Sequence, residues 1–454
     1  MADPLSLEDL SRRTGEPPER LRQWQGHGLI GKHGADEFDA VDVGRARLIH
    51  DMLHYGHSLE AIAQAAKKPD SVFQYFLEGM SQHFSRPLYP VPDAAEMAGI
   101  DLGVARRMME ATGIGEHGDY VDGEDVEFFR ACKISLDAGY PEGALLQVLR
   151  VYSETMARAA EVSQRTSHFY LHQPLERQGL PPDQMMGQLR DTFSKIEPLV
   201  EPALMYFFRK GAAKGGWDDM LMHLEEEAGL AEKPAMPGQV RQAIMFVDLA
   251  NFTPLAEAMG DLKAAGVLDR FREVVQVAVR RCHGRIVKQI GDAFMIVFPE
   301  CYSAVSCGLE IEERCGAEPQ FPAARAGLHW GPVLYREGDY LGSNVNIASR
   351  LGAEAQRHQV LVSAEVRNRA KGLEGAEFIR LGKRRLKGLV AEVEVFEARA
   401  AGPGSQEGMI DPVCGMELGS GEVAARLTLD GRDQAFCSED CLRKFVRHPE
   451  KYAR

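Results

Sequence analysis

Residues 285–298 read RIVKQIGDAFMIVF. Ile286, Ile290, Phe294, Ile296 and Phe298 fall on the alternating positions of a half-buried β-hairpin, and Gly291-Asp292 supplies its turn. Lys288 and Asp292 break the apolar pattern with opposite charges near that turn. A hairpin tip can present such a pair to water, so alone it says little. The flanking sequence says more.

Upstream, RQAIMFVDLANF (241–252) reads as a strand with Asp248 near its end. Residues 254–283 read as a helix with Leu268, Phe271, Val274, Val275 and Ala278 inward. A helix at 302–315, a strand ARAGLHWGPVLY (324–335), a helix at 344–357 and a strand QVLVS (359–363) follow. Strands alternating with helices imply a sheet domain covered by helices. Two carboxylates on neighbouring strand ends, Asp248 and Asp292, form a donor set for Mg²⁺, which leaves its other positions to water and phosphate oxygens. In GDYLGSNVNIASRL (338–351), Asn346 and Arg350 stand four apart on one helix face. An amide beside a guanidinium suits phosphoryl chemistry, because Arg offers oxyanions a planar fork of donors.

These stretches, with the closing RRLKGLVAEVEVFE (384–397), resemble the class III nucleotidyl cyclase domain over most of 240–397. The resemblance implies a ferredoxin-like α+β fold. It implies that Asp248 and Asp292 hold two Mg²⁺ or Mn²⁺ ions per active site. Lys288 and Asp339 would read the base: an ammonium donates to adenine N1, and a carboxylate accepts from the exocyclic amine. Guanine reverses both groups, so the pair favours ATP. Asn346 would orient the ribose, Arg350 would stabilise charge on the α-phosphate, and Lys387 would touch the triphosphate. In this family one subunit supplies the metal carboxylates and its partner the base readers and the Asn/Arg pair. A chain holding both sets is therefore expected to be a homodimeric adenylate cyclase. A guanylate cyclase, or a DNA-binding regulator whose cyclase domain senses nucleotide without turnover, are the alternatives.

The remaining chain divides into three parts. LEDLSRRTGEPPERLRQWQGHGLIG, with FDAVDVGRARLIHDMLHYGHSLEAIA behind it, resembles the helix-turn-helix of MerR-type regulators, so 1–68 is expected to be such a module. A related pattern recurs about 84 residues on: AVDVGRARLIHDMLHYGH aligns loosely with GEDVEFFRACKISLDAGY, as two copies of one helical module at 5–66 and 89–150. Residues 85–232 resemble the helical regulatory domain of some actinobacterial cyclases, some of them pH-sensitive. Ten of the fourteen histidines lie in this N-terminal half, which motivates a pH-biased switch. The DNA-reading candidates would be Arg12, Arg13, Arg20 and Arg22. Yet 1–68 holds nine Lys/Arg against eleven Asp/Glu, and 85–150 six against twelve. Phosphate binding needs a basic face, so nucleic acid is not the expected partner.

After the catalytic domain (237–400), a polar Gly-rich linker AGPGSQEG (401–408) leads into 409–454. That segment resembles the YHS domain over its whole length, a small Cys-containing α+β unit. Cys414, Cys437 and Cys441 have the spacing C-x22-C-x3-C, and three thiolates suit zinc or copper(I). Asp411, Met416 and His448 are further candidate ligands. The fold class expected is thus multi-domain: an all-α N-terminal half, an α+β catalytic domain and the YHS unit. The net charge of −14 argues against a mainly nucleic-acid-binding role. The absence of an apolar run near 18 residues and an opening MADPLSLEDL unlike a signal peptide lead to the expectation of a cytoplasmic protein without membrane contact.

Overall fold

The computed structural model describes all residues except 1–3, 33–34, 68–87, 115–119, 230–233, 319–320, 402–408, 420–421, 430–431 and 453–454. His33, His83, His117 and most of the 401–408 linker therefore lie outside the described residues. The chain forms two units, 1–232 and 233–454.

In the first unit the sequence repeat becomes a structural one. A bridge from Leu5 to Phe38 encloses helices Leu7–Thr14 and Pro18–Gly26, and helices Ala40–His54 and Leu59–Ala66 follow. The second copy repeats that order. Strand Leu88–Pro90 pairs with Tyr120–Asp122 around helices Val91–Ala98 and Leu102–Thr112, and Gly123–Asp137 and Glu142–Ser167 follow. Both third helices open on a capping box, Asp39 with Asp42 and Asp122 with Asp125. Each copy has its own core, around Trp24 in one and Phe129 in the other. Beyond them a short π-helical turn, His168–His172, precedes a 46-residue helix, Pro182–Glu227. Arg12, Arg20 and Arg22 are ion-paired with Asp9, Glu16 and Asp36.

The second unit is built on an eight-stranded sheet. Its order is Arg285–Ile290, Ala293–Phe298, Gln239–Leu249, Ala324–Arg336, Val360–Ser363, Val393–Ala400, Ala376–Arg384, with Asp339–Leu341 added to Ala324–Arg336. Neighbours are antiparallel except Ala324–Arg336 with Val360–Ser363. One face carries Met245, Val247, Phe294, Ile296, Phe298 and Leu328, packed under helices Asp261–Arg281 and Cys301–Ala317. The other carries Ile244, Met295, Val297, Val333 and Tyr340, with Ala348 from helix Ser343–Glu354.

The hairpin forms where expected, but not with a simple alternation. A bulge lies between Ile286 and Lys288: Ile286 pairs with Ile296, while Lys288 pairs with Met295. Cross-strand partners share a face, so this one extra residue moves Lys288 from the face of Ile286 to that of Met295 and Tyr340. Ile290, expected half-buried, is 59% exposed at the tip. Two helix expectations also change. The span 254–283 is two helices, Phe252–Met259 and Asp261–Arg281, because the chain turns at Gly260 with φ +82°. The helix expected to 357 stops at Glu354, freeing Arg357 to sit in a turn. The strands Ala376–Arg384 and Val393–Ala400, which complete the sheet, were not foreseen as a pair.

Residues 409–452 form two small hairpins, Met409–Ile410 with Glu417–Leu418 and Ala425–Leu429 with Arg432–Phe436, then helix Glu439–Arg447. This module packs onto the catalytic domain. Cys414, Met416, Phe436 and Phe445 belong to the same apolar cluster as Leu255 and Phe271.

Candidate active site

Asp248 is the penultimate residue of the central strand Gln239–Leu249, and Asp292 occupies the hairpin turn at the start of the neighbouring strand Ala293–Phe298. The two carboxylates line one cavity of about 610 Å³, together with Asn251, Phe252, Thr253, Pro254, Arg325 and the 353–357 turn. Burial pushes Asp248 above its ordinary range, even though Arg325 pulls the other way, and the charge of Asp292 adds to the rise. Asp292 is raised chiefly by burial too, against a backbone hydrogen bond at Leu249. Two neighbouring carboxyls that resist ionisation are a site in want of positive charge.

Part of that charge is supplied by a residue the sequence reading missed. Arg325 lies directly across the strand pair from Asp248. Its Nε donates to Asp248 Oδ1 at 2.5 Å and its Nη2 to Oδ2 at 3.0 Å, a bidentate pair. The available signal was a lone Arg between Ala324 and Ala326 in an otherwise apolar strand.

Lys288 and Asp339 meet on the sheet face that carries Met295 and Tyr340. The Lys288 ammonium donates to Asp339 Oδ2, and Asp339 Oδ1 accepts from the Tyr340 amide at 2.8 Å. Both side chains remain about a third exposed, so another molecule can reach them. Asn346 and Arg350 are exposed on helix Ser343–Glu354, one turn apart. Lys387 is exposed in the turn between the last two strands. None of these five residues lines the cavity of Asp248 and Asp292. A single chain therefore carries two sets of chemical groups that do not line one cavity.

Residues 237–397 match the family model of the adenylate and guanylate cyclase catalytic domain. Residues 237–397 are a nucleotidyl cyclase catalytic domain. Residues 5–68 match the MerR HTH regulatory family, and 409–454 match the YHS domain. A pH-sensitive adenylate cyclase of Mycobacterium tuberculosis is 28% identical over 329 residues, spanning 68% of this chain and 77% of that one. An adenylate cyclase of Streptomyces coelicolor is 28% identical over 293 residues, 63% of this chain and 72% of its own. A crystal structure of an adenylate/guanylate cyclase/hydrolase from Silicibacter pomeroyi, 25% identical, covers 36% of this chain and 97% of its own at a TM-score of 0.33.

The C-terminal cysteines converge. The Cys414 and Cys437 sulfurs are 3.5 Å apart and those of Cys437 and Cys441 3.6 Å. Hydrogen bonds from Cys414, then Cys437, hold the Cys441 thiol far below its usual range, while its neighbours push Cys414 up. Thiolates tetrahedrally placed at ~2.3 Å from one ion lie roughly 3.8 Å apart, so the donor set fits a soft or borderline cation. Asp411 also lies in the cluster, whereas His448 does not. The Asp411 carboxylate is already engaged: it accepts from the amides of Val413 and Cys437 at 2.8 Å and Cys414 at 3.3 Å. It holds the two cysteine-bearing segments in place. Among the described residues, no helix is long and apolar enough to cross a membrane.

Proposed function

We propose that this cyclase is an adenylate cyclase, converting ATP to 3′,5′-cyclic AMP and pyrophosphate at sites shared between two copies of the chain. The observation that carries the substrate choice is the Lys288–Asp339 pair. One side chain donates and the other accepts, side by side and within reach of solvent. Adenine offers the complementary acceptor and amine, whereas guanine would leave both protein groups mismatched, at about 1–3 kcal/mol for each buried polar group left unpaired. The names of the similar actinobacterial proteins support the same choice.

Asp248 and Asp292 would hold Mg²⁺ or Mn²⁺, whose charge would favour the ribose 3′-oxyanion and neutralise the polyphosphate. Arg325 keeps a fixed positive charge in that cavity and is free to turn from Asp248 toward polyphosphate oxygens when a cation takes the carboxylate. From the partner copy, Lys288 and Asp339 orient the base and Asn346 the ribose. The 3′-oxygen bonds to the α-phosphorus as the bond to pyrophosphate breaks, and the hydroxyl proton passes to solvent. Arg350 meets the charge that develops on the α-phosphate, and Lys387 supports the departing pyrophosphate. The separation of the two sets on one chain is what a head-to-tail homodimer with two equivalent sites would use.

We read residues 1–232 as regulatory rather than DNA-reading, since three of the four arginines that would face phosphates, Arg12, Arg20 and Arg22, are already engaged by carboxylates. His168 and His172 lie 3.0 Å apart at Nδ1 in the π-helical turn of this unit. The test of the reading is turnover of ATP and of GTP by purified protein with Mn²⁺ or Mg²⁺. Cyclic AMP and pyrophosphate in equal amounts are expected. No cyclic nucleotide, or a preference for GTP, would overturn it.

A further inference from the structure

The helix Phe252–Met259 forms one wall of the cavity that holds Asp248 and Asp292. The C-terminal cysteine module grips that helix at both ends. At its start, Asn251 is the capping residue, held at φ +60° in the left-handed region. Gly415 lies against it so closely that a Cβ there would stand 3.0 Å from Asn251 Nδ2. The Gly415 carbonyl accepts a hydrogen bond from Arg357, another cavity residue. At the far end, the Lys444 ammonium donates to the carbonyl of Ala258, where an exposed helix C-terminus favours a cation.

Gly415 directly follows Cys414, and Lys444 lies on the helix that carries Cys441. Both contacts with the catalytic helix therefore depend on how Cys414, Cys437 and Cys441 are arranged. Among the described residues these three cysteines are free, their sulfurs meeting without a covalent link at 3.5 Å from Cys414 to Cys437 and 3.6 Å from Cys437 to Cys441. Sharing one ion would turn those contacts into a rigid link between the 411–416 turn and helix Glu439–Arg447.

We propose that the cysteine module is a metal-responsive clamp on the catalytic centre: a thiophilic cation held by Cys414, Cys437 and Cys441 fixes Gly415 on Asn251 and Lys444 on Ala258, and so tightens divalent-cation and nucleotide binding at Asp248 and Asp292. The proposal rests on the reading of those two aspartates as ion-binding groups. Coupling between linked sites is reciprocal and commonly starts at about fivefold. Fivefold is the effect expected here, since both gripping contacts bear on one short helix.

The experiment uses the full-length, reduced, metal-stripped protein. One equivalent of Cd²⁺ is added and its thiolate charge-transfer absorption recorded. Mn²⁺ affinity is then measured by electron paramagnetic resonance with a non-hydrolysable ATP analogue, before and after Cd²⁺. The expected result is a saturating absorption band at one equivalent and Mn²⁺ binding about fivefold tighter. Cys437→Ser removes both the band and the shift. Lys444→Met keeps the band and reduces the shift to less than twofold, which separates the clamp from any direct effect of Cd²⁺ on the aspartates. A full band with Mn²⁺ affinity unchanged within twofold overturns the proposal, as does the absence of a band. Failure to bind Mn²⁺ with or without Cd²⁺ removes the catalytic reading beneath it and the proposal with it.

Discussion

Gly327→Ala tests how tightly the catalytic geometry is set by packing. Gly327 lies in strand Ala324–Arg336, directly beneath helix Ser343–Glu354, which carries Asn346 and Arg350. A Cβ built there falls 1.9 Å from the Gly352 nitrogen and 2.4 Å from the Leu351 carbonyl carbon. Both obstacles are backbone, so no side chain can rotate aside. Reaching an ordinary contact near 3.4 Å requires the helix to move about 1.5 Å from the sheet. Overpacking of this kind costs about 1–3 kcal/mol, which for a domain of this size lowers Tm by roughly 2–12 °C. A misplacement of ~1 Å in catalytic groups costs on the order of 100-fold in rate. The variant is expected to remain folded by circular dichroism, to melt earlier and to lose about 100-fold in kcat for cyclic AMP formation. A folded Gly327→Ala protein with wild-type melting and kcat within threefold would refute the claim that this close approach sets the position of Asn346 and Arg350.

Other outcomes follow from the same geometry. Lys288→Glu with Asp339→Asn reverses donor and acceptor, so the ratio of kcat/KM for GTP over ATP should rise at least about tenfold, an unpaired buried polar group costing ~1–3 kcal/mol; an unchanged ratio would deny these residues the base-reading role. Burial holds Asp292 above its ordinary value of 3.8, so its ionised form costs stability above that raised pKa and nothing below 3.8, where folded and unfolded states are both protonated. Asp292→Asn should therefore raise Tm at neutral pH in metal-free buffer, with the gain fading as the pH falls toward 3; a gain independent of pH would contradict the burial argument. Gly266→Ala, on helix Asp261–Arg281 with no atom within 4 Å of the new Cβ, should stabilise by about 0.5–1 kcal/mol and leave turnover alone, as urea melts and the same assay would show.

The parts of the site legible in the sequence were those encoded by local pattern. Apolar runs on either side of Gly291-Asp292 marked the hairpin, and the four-residue spacing of Asn346 and Arg350 put them on one helix face. The repeated Asp–x–x–Asp capping boxes, 83 residues apart, belong to a repeat that the sequence showed only loosely. What was hidden depends on partners distant in the chain. The bulge that carries Lys288 to the face of Asp339 shows only in the register against Met295. The role of Arg325 needs Asp248, 77 residues away, as its cross-strand neighbour. The helix break at Gly260 was masked because apolar residues continue at helical spacing on both sides of it. The seating of the cysteine module on Asn251 and Ala258 comes from tertiary packing, for which the 401–408 linker carries no signal.

The account's central claim is that each active site is assembled from two chains, and mixing inactive variants tests it most directly. Asp248→Ala removes a cavity carboxylate and Arg350→Ala removes the guanidinium that meets the α-phosphate in the proposed site. Random pairing of equal amounts makes half the dimers mixed, each with one intact site of two, so about a quarter of wild-type activity is expected. The account predicts that each variant alone forms no cyclic AMP and that the mixture recovers to about that level. A mixture as inactive as its components, with both variants folded and dimeric, would contradict it.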